Sequence, residues 1–160
     1  MSDPMSMDVG SAEFDSVDVR QLHPRDLEAV IRLDAKILGR RRDEFFKVKL
    51  EENLHAAGIR VSLAAEIDDH VVGFIMARVD YGEFGQTATT AVIDTLAVHP
   101  DFAGQQVGSA LVSQLLSNLD SLRVETLRTL VAWDDFGLAG FLDRCGFVPA
   151  QRLALRLPLN

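Results

Sequence analysis

Six residues close together suit one kind of chemistry. Gly104, Gln105, Gln106, Gly108, Ser109 and Ala110 are small or amide-bearing, and none is acidic. At the start of a helix such residues suit a phosphate. The first turn leaves backbone N–H groups without partners and presents the positive end of the helix dipole. The helix itself is legible: Val107, Ala110, Leu111, Leu115 and Leu119 recur at three- and four-residue steps, one apolar stripe. Two phosphate-binding patterns can be tested here. A P-loop needs Gly-Lys before Ser or Thr, and the chain has no Gly-Lys pair; Gly-x-Gly-x-x-Gly is absent too. What stands in the loop is Gln105-x-x-Gly108-x-Ala110.

The element that leads into this loop is a strand. Val92, Asp94, Leu96 and Val98 alternate with Ile93, Thr95 and Ala97, the two-residue period of a strand. Pro100 ends it, because proline cannot donate to a sheet ladder. The unit is strand, loop, helix.

The rest of the chain supplies the frame. Residues 1–16 show no periodicity and read as a loose tail. Val17 to Leu22 form a first strand. Pro24 opens a helix with Leu27, Val30, Ile31, Leu33, Ile37 and Leu38 inward, stopped by Gly39. A second helix runs from Asp43 to Ala57, with Phe45, Phe46, Leu50 and Leu54 inward. Val61, Leu63, Ala65 and Ile67 share one face of a strand, Asp68-Asp69-His70 turn, and Val71 to Ala77 are apolar on both faces, which marks a central strand. After a loop containing Gly82 and Gly85 comes the strand–loop–helix unit. Leu127 to Trp133 is a further strand, Phe136 to Arg144 a short helix ended by Gly146, and Phe147-Val148 with Arg152 to Leu157 a closing hairpin. The chain is expected to hold one domain over residues 17–160.

The order β-α-α-β-β-β-α-β-α-β and the Gln105-x-x-Gly108-x-Ala110 loop directly after Leu96-Ala97-Val98-His99-Pro100 resemble the GCN5-related N-acetyltransferase family. The resemblance covers roughly residues 17 to 160. A second signature agrees in frame: Asp135-x-x-Leu138-x-x-Phe141-Leu142-x-x-x-Gly146-Phe147 resembles the family's Asn-x-x-Ala-x-x-Phe/Leu-Tyr-x-x-x-Gly-Phe. Two positions depart, Asp135 for the Asn and Leu142 for the Tyr that often protonates the departing thiolate. The resemblance implies an α/β fold with a central splayed mixed sheet flanked by helices, and acetyl-CoA as cosubstrate. It implies that the backbone of Leu96 and Val98 pairs with the pantetheine arm, with Ala97 between them also in the cofactor site. It also implies that Gln105, Gln106, Val107, Gly108, Ser109 and Ala110 cradle the pyrophosphate, that Phe141 lines the cofactor, and that Arg144 reaches a phosphate.

The reaction so implied moves an acetyl group to an amine directly, in a ternary complex. An alkyl ammonium has a pKa of about 10.4, so removing its proton at pH 7 costs about 4.6 kcal/mol. A carboxylate, or water leading to one, shuttles that proton. Asp94 is the candidate, as base or as substrate anchor, with the loop residue Glu83 a weaker alternative. Tyr81, the only tyrosine, is the candidate substitute for the missing acid. A competing reading, supported by Leu142, is an acyl-CoA-binding regulatory module without catalysis. Other residues have quieter readings. Arg40-Arg41-Arg42 is a solvated run or an anion site, Cys145 a packed small residue, Trp133 a core or rim aromatic, and His99 a cap at the strand end.

Composition bounds the partners. A length of 160 residues suits one domain with a real core. The net charge of −8 argues against broad nucleic-acid binding. One cysteine allows no internal disulfide. No apolar run approaches a membrane span, no basic-then-apolar leader opens the sequence, and the four histidines lack metal-ligand spacing. The expectation is a cytoplasmic protein without a metal, acting on a small-molecule or peptide amine and compatible with a homodimer.

Overall fold

The structure is a computed structural model, and the residues it describes are 16–55, 61–81, 88–104 and 106–160. Gln105, Glu83 and the side chain of Tyr81 lie outside the described residues. The chain divides into two compact units, residues 1–129 and 130–160.

The first unit is a five-stranded sheet in the order β1-β2-β3-β4-β5, with β1 Asp18–Gln21, β2 Leu63–Ile67, β3 His70–Tyr81, β4 Thr89–Val98 and β5 Thr126–Thr129. The first four strands are antiparallel to their neighbours and β5 runs parallel to β4. A 3-10 turn at Pro24–Asp26 leads into α1, Leu27–Leu38, which ends where Gly39 takes φ 76°. α2 spans Asp43–His55, and α3, Val107–Ser121, lies between β4 and β5 in the chain. The β2–β3 turn works as its residues require: Asp68 and Asp69 take φ of 50° and 62°, the left-handed region that Asp tolerates.

The strand β3 is central and apolar on both faces because helices cover both. Its Phe74 and Met76 join Val30, Ile31 and Leu33 of α1, Phe46 and Leu50 of α2 and Ala97 of β4 in one buried cluster. Its Gly73 faces the other way, toward Val107 and Leu111 of α3. The α2 stripe is narrower than its spacing suggests: Phe46 is fully buried, whereas Phe45 is exposed and stacks edge-on against it, ring centroids 5.0 Å apart.

Two ion-paired arginines tie the elements together. Arg20 of β1 donates to both oxygens of the buried Asp26 at 2.7 and 2.8 Å and through Nε to Glu66 of β2 at 2.8 Å. Arg42 donates to both oxygens of the buried Asp34 in α1 at 2.8 and 2.7 Å. Its guanidinium also stands over the Phe45 ring, 4.5 Å from the centroid. The triple-arginine run is thus largely structural, since Arg41 is occupied by Glu28 and Asp43.

In the second unit α4 spans Phe136–Arg144. Its N-cap is Asp135, whose Oδ1 accepts from the Leu138 amide at 3.1 Å, and Gly146 follows with φ 96°. Two strand readings are corrected. The strand expected over Leu127–Trp133 stops at Thr129, and Trp133 stands 89% exposed in a turn rather than in a core or at a rim. The closing hairpin does not form: residues 147–160 carry no strand, and Leu153, Leu155, Leu157 and Leu159 are exposed. Period-two spacing makes a segment competent for a sheet, but pairing requires another strand's N–H and C=O groups.

Candidate functional site

The site is built on β4, the turn after it and the start of α3. β4 pairs with β3 along its whole length, but its pairing with β5 covers only Thr90 to Ile93. The last link there is the Thr129 hydroxyl donating to the Ile93 carbonyl at 3.2 Å. From Asp94 to Val98 the β4 edge on the β5 side has no strand partner among the described residues. Exposed backbone N–H and C=O groups need partners, so this opening suits an extended, amide-bearing ligand. Leu96 and Val98 lie on it.

The opening coincides with a bulge. Met76 of β3 stands opposite Thr95, and Ala77 opposite Ile93, so Asp94 is the extra residue of β4. The bulge breaks the simple alternation expected from the sequence. Thr95 and Ala97 lie opposite Met76 and Phe74, on the α1–α2 face, whereas Leu96 and Val98 lie opposite Ile75 and Gly73, on the α3 face. On the other side of the bulge, Val92 stands opposite Arg78, which shares the α1–α2 face, and Arg78 Nη1 donates to Asp94 Oδ1. Asp94 and Val92 therefore share a face, as the spacing of the two suggests, yet Leu96 does not join them.

Asp94 is not a free carboxylate. Arg78 also lies 3.3 Å from Asp80, and Arg128 of β5 approaches Asp80 at 3.9 Å. Partial burial opposes the charge on Arg78, but its bond to Asp94 and the charges of Asp94 and Asp80 outweigh it and raise its pKa above the ordinary value. No sequence signal named Arg78, because its link to Asp94 spans 16 residues and depends on strand register.

Beyond Val98 the chain turns sharply. The His99 amide donates to the Val72 carbonyl at 2.7 Å, and His99 Nδ1 accepts from the Asp101 amide at 3.1 Å, capping a 3-10 turn at Pro100–Phe102. Gly104 (φ 81°) and Gln106 (φ 62°) bend the chain into α3. Gln106 makes no side-chain cap bond and the first turn holds no acid. The Ala110 amide donates to the Gln106 carbonyl at 2.9 Å, the first bond of the helix. Ala110 is therefore already paired, and the helix start offers the amides of Gln106, Val107, Gly108 and Ser109. This fits a pyrophosphate.

The remaining candidates stand on α4 in the second unit. Phe141 is half-buried, Arg144 exposed, and Leu142 is 4% exposed. Burial pushes the Cys145 thiol up, Arg144's charge opposing it, which disfavours the nucleophilic thiolate. Among the described residues no three His, Cys, Asp or Glu gather as metal ligands, and no helix is long and apolar enough to cross a membrane.

Known proteins match this chain in sequence and in fold. The model of the Acetyltransferase (GNAT) family matches residues 20–147. An uncharacterized N-acetyltransferase, ycf52, of Gracilaria tenuistipitata var. liui is 31% identical over 78 residues, a stretch that covers 49% of this chain and 38% of that protein. Among solved structures, AAC(6')-Iy in complex with the bisubstrate analogue CoA-S-monomethyl-acetylneamine superposes with a TM-score of 0.77 at 17% identity, covering 91% of this chain and 99% of that one. A ribosomal-protein-alanine N-acetyltransferase from Brucella melitensis biovar Abortus 2308 superposes with a TM-score of 0.74 at 20% identity, covering 91% of this chain and all of that one.

Proposed function

The chain belongs to the acetyltransferase (GNAT) family, and from that membership we propose that it transfers the acetyl group of acetyl-CoA directly to an amine in a ternary complex. The observation that carries the proposal is the continuity of the β4 opening with the uncapped start of α3. Acetyl-CoA supplies an activated acetyl group as a thioester. The amides of Gln106, Val107, Gly108 and Ser109 receive its pyrophosphate, with Gln105 at the loop's start. The open edge at Leu96 and Val98 receives the amide-bearing pantetheine arm, and Ala97 holds that strand to the core. Phe141 and Arg144 are proposed as further contacts.

The amine sits over the α1–α2 face beside Asp94. The new C–N bond forms as the C–S bond breaks, the amine gives up a proton, and the sulfur takes one. With Arg78 as counter-charge, Asp94 holds the ammonium electrostatically, and a water beside it takes the proton as the amine attacks. Direct abstraction would neutralise the carboxylate that accepts from Arg78 and leave Arg78 with Asp80 alone, so anchoring is the favoured role. A thiolate with a thiol pKa near 8.5 leaves with little acid help, and water or Tyr81 supplies the final proton.

A regulatory module that binds acyl-CoA without catalysis is the second reading. It is favoured by the buried Leu142, which has no proton to give. Calorimetry with coenzyme A and a thiol-release assay over a panel of amines and peptides separate the two. Tight binding with thiol release supports the enzyme, and tight binding without release across the panel supports the module.

A further inference from the structure

Past the region that α1 and α2 cover, the sheet face carries a chain of four charges: Asp94 of β4, Arg78 and Asp80 of β3, and Arg128 of β5. They are unequally committed. The Asp94 side chain is only 16% exposed and accepts from Arg78, which divides its donors between Asp94 and Asp80. Arg128 is 49% exposed, and its one ion pair among the described residues is the distant contact with Asp80 at 3.9 Å. A guanidinium has five donors in a planar fork that matches a carboxylate or a phosphate, and among the described residues most of those on Arg128 have no acceptor.

Among the described residues the floor is also electrically balanced, with two carboxylates and two guanidiniums, although the chain as a whole is strongly acidic. A polycation would bring charge against Arg78 and Arg128. Arg128 stands opposite Val92 on the adjacent strand, and Val92 is two residues from Asp94. Strand spacing and rise put the Cα atoms of Asp94 and Arg128 about 8 Å apart, a span that one small molecule bridges.

Resting on the reading that this face receives the acceptor, we infer that the acceptor is a small amine that also carries an anionic group, carboxylate or phosphate, a few bonds from its nitrogen. The ammonium is drawn to Asp94 and the anion to Arg128. A zwitterion on a neutral floor leaves no charge unpaired, while a neutral amine leaves the Arg128 donors idle and a polyamine meets like charge.

Matched pairs test this: β-alanine against β-alaninamide, phosphoethanolamine against ethanolamine, and spermidine as the polycation. Thiol release is measured for the parent and for Arg128→Gln and Arg128→Lys, with Arg32→Gln as a surface control. The anionic member of at least one pair should exceed its neutral partner in kcat/KM on the order of tenfold, and whichever pair does so identifies carboxylate or phosphate. Arg128→Gln should bring that ratio toward one, Arg128→Lys should keep part of it, and Arg32→Gln should keep it whole. Equal or better turnover of the neutral amines or of spermidine overturns the inference and leaves acetyl transfer standing. Absence of release with every amine overturns transfer to small amines instead. The same pairs are then titrated and followed by amide chemical shifts at Thr90 and Thr126. Tighter binding of an anionic member, lost in Arg128→Gln, sustains the inference, and equal binding overturns it.

Discussion

Gly73 of β3 lies so close to Val107, the first residue of α3, that a Cβ on Gly73 would stand 2.8 Å from Val107 Cγ1 and 3.2 Å from the Ala97 carbonyl oxygen. The absence of a side chain at Gly73 sets how near the start of α3 comes to the β3–β4 pair, and so how the proposed phosphate cradle meets the open strand. A valine is stiff about χ1, and the carbonyl belongs to β4 itself, so neither neighbour yields easily. Gly73→Ala should lower stability by about 1–3 kcal/mol and weaken coenzyme A binding. Urea unfolding and calorimetry read the two effects. Adding Val107→Ala should restore part of the binding, a coupling that a double-mutant cycle measures.

Gly108 is in the first turn of α3, where the helix amides are free of side-chain caps. Gly108→Glu brings bulk and negative charge to the place proposed for a phosphate. Coenzyme A binding should fall below detection by calorimetry while the far-ultraviolet circular dichroism stays native. A folded variant that binds as well as the parent moves the phosphate elsewhere.

Asp94→Asn removes the charge that faces Arg78. The turnover rate at neutral pH should fall about 10²-fold, with coenzyme A affinity little changed. The loss should shrink as pH rises and free amine accumulates. A pH–rate profile identical to the parent's assigns the proton to another group.

Asp26 links pH to stability. Burial opposes its charge, but the bonds from Arg20 and the His23 amide outweigh it and hold the carboxyl below its usual range. The unfolded chain therefore binds more protons than the folded one in acid. The contribution of Asp26 is complete above the ordinary carboxylate pKa of about 4 and fades as pH falls further. Asp26→Asn should cost about 2 kcal/mol at pH 7, and the gap from the parent should narrow below pH 4. Chemical denaturation at a series of pH values gives both curves.

Leu142→Tyr restores a proton donor at the position the family often uses, but Leu142 is buried and the larger ring must make room. The melting temperature should fall, and the rate should rise by no more than about 10²-fold. A melting temperature that does not change, with no gain in rate, would show that the ring swings out to solvent.

The local grammar of the chain was legible without the fold. Pro100, Gly104 and the stripe from Val107 to Leu119 mark strand end, turn and helix, because each acts through its own backbone or its near neighbours. Asp68-Asp69 and Asp135 likewise declare a turn and a cap within three residues. The even apolarity of Val71 to Ala77 announced a central strand, since both faces meet helices. What needed the tertiary structure was register. The bulge at Asp94 exists only relative to β3, and it puts Val92 and Asp94 on one face and Leu96 and Val98 on the other where simple alternation predicts a single series. Arg78 and Arg128 look like ordinary strand charges until pairing sets them beside Asp94 and Asp80. The two arginines beside buried Asp26 and Asp34 were hidden for the same reason, because an ion pair is a property of two positions in space. Alternation at Leu153 to Leu157 makes no strand here, since a strand is completed by its partner's hydrogen bonds and not by its own pattern.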